Sequence, residues 1–218
     1  MGALTDARVH TVGSPEFFGV TLRSLLGHPS MYRAFGGLVG GSRARQVFVA
    51  EHVCPRHGER VLDIGCGTGE LVPHLSGTDY EGFDGSAGYI VAARARFPGI
   101  RFSCETIAAR QARPASVDLA IASGVLHHLD DDEALQLLRL ASASCRAGGR
   151  LVTLDGCYVA GQSPVSRSLL SWDRGRHVRT PDEYLRLMRA VFPHVAAVVR
   201  HDLLRVPYTH FVAECRRG

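Results

Sequence analysis

The stretch Val61-Leu62-Asp63-Ile64-Gly65-Cys66-Gly67-Thr68-Gly69-Glu70 constrains the fold more than any other part of the chain. An apolar run leads straight into three glycines placed at every second position, which predicts a buried strand, a tight loop and then a helix. Glycine permits backbone angles closed to other residues, and it lets a ligand approach the bare main chain.

From residue 60 onward, short apolar runs alternate with helical stretches. The runs are Arg60 to Ile64, Tyr80 to Phe83, Ile100 to Cys104, Val117 to Ala122 and Arg150 to Leu154. Such βαβ repetition predicts a parallel sheet. The helix after the fourth run begins near Asp130-Asp131-Asp132-Glu133 and continues through Leu135, Leu138 and Leu140 to a stop at Gly148-Gly149. Carboxylates at its first turn complement the helix dipole and cap free amides, so no metal is expected there. Gly156 to Pro181 is polar, with an amphipathic piece at Val165 to Trp172, and forms a candidate lid or wall. A further helix starts at Pro181, with Asp182 and Glu183 in its first turn and Tyr184, Leu187, Met188 and Val191 inward. Val195 to Val206 and Thr209 to Cys215 suit a closing antiparallel pair. Upstream, residues 16 to 53 read as two or more helices, carrying Phe17, Val20, Leu25, Tyr32, Phe35 and Leu38 and broken by Pro29 and Gly40-Gly41. The expected division is a helical cap over residues 1–55 and an α/β domain over 56–218 with an insertion at 156–181.

Composition narrows the function classes. A chain of 218 residues with 45% apolar content buries one substantial core. No run of eighteen apolar residues is present, and Asp6, Arg8 and His10 interrupt any secretory core, so the expected location is the cytoplasm, with no membrane span. Cysteines at 54, 66, 104, 145, 157 and 215 form no CxxC pair and read as reduced thiols. All 25 basic residues are Arg, which excludes lysine Schiff-base chemistry. Net charge is +4 with the arginines dispersed, so nucleic acid is not an expected partner. The cluster Arg167, Arg174, Arg176, His177, Arg179 reads as a solvated face or as a site for an anionic acceptor.

The spacing G-x-G-x-G differs from the G-x-G-x-x-G of dinucleotide sites. Tyr80-Glu81-Gly82-Phe83-Asp84 reads as a second strand ending in an acid, 21 residues after Asp63. An acid so placed holds both ribose hydroxyls of an adenosine or caps the helix starting near Ser86, and the loop before it favours the ribose. Residues 61 to 70 resemble motif I of class I methyltransferases. The element order from Arg60 to Cys215 is similar to that family's fold, and Leu126-His127-His128-Leu129 resembles a motif of small bacterial metabolite-type members.

The resemblance implies a Rossmann-like, mostly parallel seven-stranded sheet with an antiparallel last strand, helices on both faces and an N-terminal helical cap. It implies S-adenosyl-L-methionine as cofactor, S-adenosyl-L-homocysteine as product, a small-molecule acceptor, and a monomer or homodimer. The implied cofactor contacts are Asp63, Gly65, Cys66, Gly67 and Gly69, then Asp84 and Gly85, and Ser123 at the fourth strand's end. Asp63 is expected to accept hydrogen bonds from loop amides or, indirectly, from the ligand's ammonium group. Relatives read adenine with an Asp after the third strand. Here Cys104-Glu105-Thr106-Ile107 stands instead, so Glu105 substitutes or Thr106 takes the position.

Methyl transfer from a sulfonium is an in-line displacement, so the protein mainly holds the acceptor near the methyl and removes a proton where needed. Ser123, Gly124, His127, His128 and Asp155 fall at the fourth and fifth strand ends. Imidazole takes such a proton near neutral pH. His128, followed by Leu129, is the leading candidate base, with Tyr32 as the N-terminal tyrosine that pairs with this His in some similar enzymes. His127 is the second. Tyr158, Trp172, Phe17, Phe18 and Tyr32 form either an aromatic wall or core packing. The Asn/Asp-Pro-Pro-Tyr signature of enzymes acting on base amines and planar amides is absent. The resulting expectation is methyl transfer to an O, N or C atom of a small metabolite, in secondary metabolism. The alternatives are RNA modification along the arginine cluster, a non-methylating cyclisation or rearrangement on the same scaffold, and nicotinamide-dependent redox chemistry.

Overall fold

The computed structural model describes residues 40–172 and 176–218. The expectations placed on Phe17, Phe18, Pro29, Tyr32, Arg174 and the side chain of Trp172 lie outside the described residues. The elements are α1 (Gly41–Phe48), β1 (Arg60–Ile64), β2 (Asp79–Asp84), α2 (Ala87–Arg96), β3 (Arg101–Cys104), β4 (Val117–Ser123), α3 (Asp131–Ser144), β5 (Cys145–Gly156), α4 (Pro164–Trp172), α5 (Pro181–Arg189), β6 (His194–Arg200) and β7 (His210–Arg216). Among the described residues one seven-stranded sheet forms, in the order β3-β2-β1-β4-β5-β7-β6. β1 pairs in parallel with β2 and β4, whereas β7 runs antiparallel to β5 and β6. The mostly parallel seven-stranded sheet with flanking helices is the expected one, while most of the expected N-terminal cap, with Val20, Leu25, Phe35 and Leu38, lies outside the described residues.

Side-chain alternation along β4 explains why both faces are covered. Leu119 and Ile121 pack with Phe48, Ile90 and Ala93 of the α1/α2 layer. Ala120 and Ala122 pack with Leu137, Leu138, Tyr184 and Met188 of the α3/α5 layer. Fully burying a Leu or Ile contributes about 1.5–3 kcal/mol, so these alternating positions fix the strand between its helices.

Reciprocal caps start both helices of the second layer. Asp130 accepts from the Glu133 N–H and Glu133 from the Asp130 N–H, and Thr180 and Glu183 repeat the arrangement ahead of Pro181. Asp131 pairs with Arg179 and Arg186, so three acids of the 130–133 run have structural partners.

The structure departs from the expected elements in four places. No α-helix follows the glycine loop, only a 3-10 turn at Val72–His74. The connection to β2 is short, contains Pro73 and Gly77, and is drawn inward by buried Leu71 and Leu75. No helix joins β3 to β4 either. α3 stops at Ser144 instead of Gly148-Gly149, because the chain already pairs at Cys145 with Val117 of β4. β6 ends at Arg200, where Asp202 turns back to bind that guanidinium and Leu203 enters the core.

Candidate functional site

β1 and β2 end side by side, and the loop after β1 folds over the end of β2. The Gly65 and Cys66 N–H groups both donate to the Phe83 carbonyl, at 2.9 and 3.0 Å. Gly67 N–H donates to Asp84 Oδ2 at 3.0 Å, and Gly69 N–H to the Cys66 carbonyl at 3.0 Å. At Gly65, φ is +71°, and a Cβ would lie 2.7 Å from Val125 Cγ2. At Gly67, φ is +55° and a Cβ would meet nothing within 4 Å among the described residues, so none of them crowds the crest of the loop.

This geometry corrects the expectation that loop amides bond to Asp63: β2 takes them instead. With the Gly65, Cys66, Gly67 and Gly69 amides engaged and no α-helix behind it, the loop offers a pyrophosphate no helix dipole. It suits a ligand that packs on bare backbone, which disfavours the nicotinamide alternative.

Asp63 is 2% exposed and accepts a hydrogen bond from the Tyr80 hydroxyl at 2.7 Å. Burial, reinforced by the nearby charge of Asp84, raises its pKa to about 7 despite that bond. Cys66 lies beneath the loop in the apolar core, where burial and the two acids raise its thiol above the ordinary range. Its side chain therefore packs, and only its backbone belongs to the loop surface. Asp84 is half-buried, and its Oδ1 accepts from the Ser86 N–H at 2.7 Å. The acid thus fixes the loop and the entry to α2 together.

Beyond Asp84, the Glu105 N–H donates to the Asp84 carbonyl, while the Glu105 carboxylate turns to Arg110 at 3.1 Å. Arg110 also bonds Ser103 and Glu81 and lies over the Phe83 ring. Thr106 is exposed beside Gly85, with its hydroxyl accepting from the Ala109 N–H, and Ile107 packs against the core.

The opposite wall rises from β4 and β5. Gly124 N–H donates to the Leu154 carbonyl at 2.7 Å, after Ser123, and a 3-10 turn follows at Leu126–His128. His127 is buried, its Nδ1 2.8 Å from Asp155 Oδ1, and its backbone N–H donates to the same oxygen at 3.2 Å. Asp155 is 1% exposed, and among the described residues its Oδ2 has no hydrogen-bond partner. The His128 ring lies 4.2 Å from that of His127 but is exposed.

Arg179 fixes the turn from below. It is buried and donates to the carbonyls of Leu126 and Leu129 at 2.9 and 2.7 Å while pairing with Asp131. Arg167 stacks over Tyr158. The arginine cluster read from the sequence therefore does not assemble as one phosphate track among the described residues. At Gly156 a Cβ would lie 2.6 Å from Leu170 Cδ2 and 2.7 Å from the Tyr208 hydroxyl, so α4 and Tyr208 close on the end of β5. The Tyr208 ring lies 4.6 Å from His210.

Sequence reasoning did not single out Tyr80, Arg179's clamp, Tyr208 or His210. The Tyr80-x-Gly82 spacing, which places both on one strand face, is the signal that points to the first.

Residues 61–149 match the sequence model of a family described as "Methyltransferase domain". The chain is 32% identical over 145 residues to the aclacinomycin 10-hydroxylase of Streptomyces purpurascens, covering 58% of this chain and 37% of that protein. It is 30% identical over 108 residues to the ubiquinone biosynthesis O-methyltransferase of Albidiferax ferrireducens (strain ATCC BAA-621 / DSM 15236 / T118), covering 45% and 41% respectively. The chain thus spans less than half the length of these curated relatives. Its fold is similar to that of the Burkholderia thailandensis 1,6-didemethyltoxoflavin-N1-methyltransferase, solved with its substrate and S-adenosylhomocysteine, at TM-score 0.66 and 18% identity over 97% of this chain and 93% of that one.

Residues 61–149 therefore match a methyltransferase domain, and the fold is that of S-adenosylmethionine-dependent methyltransferases of known structure. The bare-backbone crest at Gly67, the half-buried acid Asp84 and the buried acid Asp63 are the residues present that fit S-adenosylmethionine, a glycine turn flanked by two carboxyl groups. No helix among the described residues is long and apolar enough to cross a membrane.

Proposed function

We propose that this chain transfers a methyl group from S-adenosylmethionine to an oxygen, nitrogen or carbon atom of a small metabolite, within secondary metabolism. One observation carries the reading. His127, buried and paired with Asp155, lies two residues beyond Val125, whose side chain abuts Gly65 of the glycine loop.

When bound, the cofactor supplies an electrophilic methyl on a sulfonium. Asp84 receives the ribose hydroxyls, Asp63 faces the amino-acid end, and Thr106 with Ile107 borders the adenine. Asp155 holds His127 with its proton on Nδ1, which makes Nε2 the basic nitrogen. An acceptor hydroxyl or ammonium placed there loses its proton as the methyl arrives. The dyad thus favours an acceptor that must be deprotonated, and His127 replaces His128 as the leading base. α4, within the 156–181 insertion, and Tyr208 beyond it wall the acceptor. The free thiols, most of them buried, suit the reducing cytoplasm.

The test is incubation with methyl-labelled S-adenosylmethionine and a panel of phenols, catechols and amines. Label in the product supports the reading. A relative named as a hydroxylase favours a second reading, non-methylating chemistry on the same scaffold, which an altered but unlabelled acceptor would select. Absence of S-adenosylhomocysteine affinity by calorimetry would remove both.

A further inference from the structure

Tyr80 and Gly82 share one face of β2, and Gly82 is the register partner of Asp63. A Cβ at Gly82 would lie 2.8 Å from the Tyr80 hydroxyl oxygen and 2.9 Å from Cys66 Cβ. Glycine at this position leaves the notch through which the phenol reaches across to β1. The Tyr80 ring packs edge-on against Phe102 at 5.9 Å, a contact that phenylalanine would make equally well. The hydroxyl is therefore not explained by packing. Among the described residues it is the one hydrogen-bond partner of the Asp63 carboxyl group. A buried acid with a single donor is a poor device for stability and an effective one for holding an oxygen in a fixed direction.

We propose that Tyr80 is a positioning residue of the cofactor seat: its hydroxyl aims Asp63 and sets how readily that buried acid releases its proton when an ammonium-bearing ligand arrives. This rests on the cofactor reading above. One proton moves. The neutral Asp63 carboxyl gives it to solvent, and the carboxylate left behind keeps the Tyr80 O–H bond and faces the ammonium. The groups facing Asp63 are Tyr80 and Asp84 of β2 and Cys66 of the loop, while its register partner on β4 is apolar Ile121. Burial raises Tyr80 and Cys66 above their ordinary values, so both stay protonated, and burial, reinforced by the neighbouring charge of Asp84, keeps the proton on Asp63.

The experiment is calorimetry of the full chain over about pH 5.5–8, corrected for titration of the ligand's own α-amino group. The probes are S-adenosylhomocysteine and 5′-methylthioadenosine, which lacks the amino-acid end. Wild-type affinity for S-adenosylhomocysteine should rise about tenfold from pH 6 to 8. Tyr80→Phe should weaken it about tenfold at pH 7 and move the inflection to higher pH. Asp63→Asn should bind weakly at every pH, and 5′-methylthioadenosine should respond to neither pH nor Tyr80→Phe. Gly82→Ala, which displaces the hydroxyl, should repeat the Tyr80→Phe shift and serves if that variant folds poorly. A flat wild-type profile, or equal weakening of both probes by Tyr80→Phe, would overturn the positioning role. Failure of the wild type to bind either nucleoside would instead overturn the cofactor reading beneath it.

Discussion

Two buried carboxyl groups stand at strand ends in this protein, and each has a different kind of partner. Asp63, at the end of β1, accepts from a phenol that stays protonated through neutral pH. Asp155, at the end of β5, meets an imidazole that can exchange protons. The first arrangement holds and aims an acid. The second lets an acid orient a base. On the proposed reading, holding concentrates on the β1/β2 side, built mostly from one contiguous motif, and proton transfer on the β4/β5 side, built from residues 28 apart.

His127→Ala should break the contrast most strongly. Turnover of a deprotonating acceptor falls by roughly 10²–10⁴ while affinity for S-adenosylhomocysteine changes little. Asp155→Asn should follow with a smaller loss, and exposed His128→Ala with the least. Equal losses for the two histidines, measured as kcat in steady state, would sink the assignment of roles.

Asp84→Ala should act on the other side alone. It removes the acceptor of the Gly67 and Ser86 amides together with the proposed ribose contact, and weakens S-adenosylhomocysteine binding roughly 100-fold in calorimetry. Unchanged affinity would show that the loop holds the nucleoside without it.

The pH dependence of stability sharpens the comparison further. Folded protein keeps the Asp63 proton up to about pH 7, whereas the unfolded chain releases it near pH 4. The native state binds more protons between those values, so this group's contribution is full below pH 4 and is lost as pH rises through 7. Its size is at most a few kcal/mol. Asp63→Asn should flatten that part of the Tm-versus-pH curve of the ligand-free protein, and an unchanged slope would exclude Asp63 as its source. Tyr184→Phe should give the smallest effect, about 1 kcal/mol in denaturant unfolding, by leaving the Gly156 carbonyl without its 3.0 Å donor.

Much of the first side was legible in the chain. Strand, glycine loop and terminal acid follow each other within one βαβ span, so local spacing placed Gly65, Gly67 and Asp84 together. The expected helix after the loop was not found, because a short connection with two buried leucines favours a tight turn over propagation. The second side was legible only as a list of residues at strand ends. His127 and His128 are adjacent in sequence, and nothing in their spacing shows that one turns inward to Asp155 while the other faces out. Arg179 looked like a member of a surface cluster until its guanidinium was seen beneath the histidine turn.

The sequence by itself determined the sheet, its two apolar layers and the glycine crest, because alternation, capping residues and φ-permissive positions act over a few residues at a time. The tertiary structure decided which donor each buried acid receives. Tyr80 reaches Asp63 through the parallel register of β1 and β2, and His127 reaches Asp155 because β4 and β5 end level. Such pairings depend on strand neighbours and side-chain direction, and neither is encoded in the spacing along one segment.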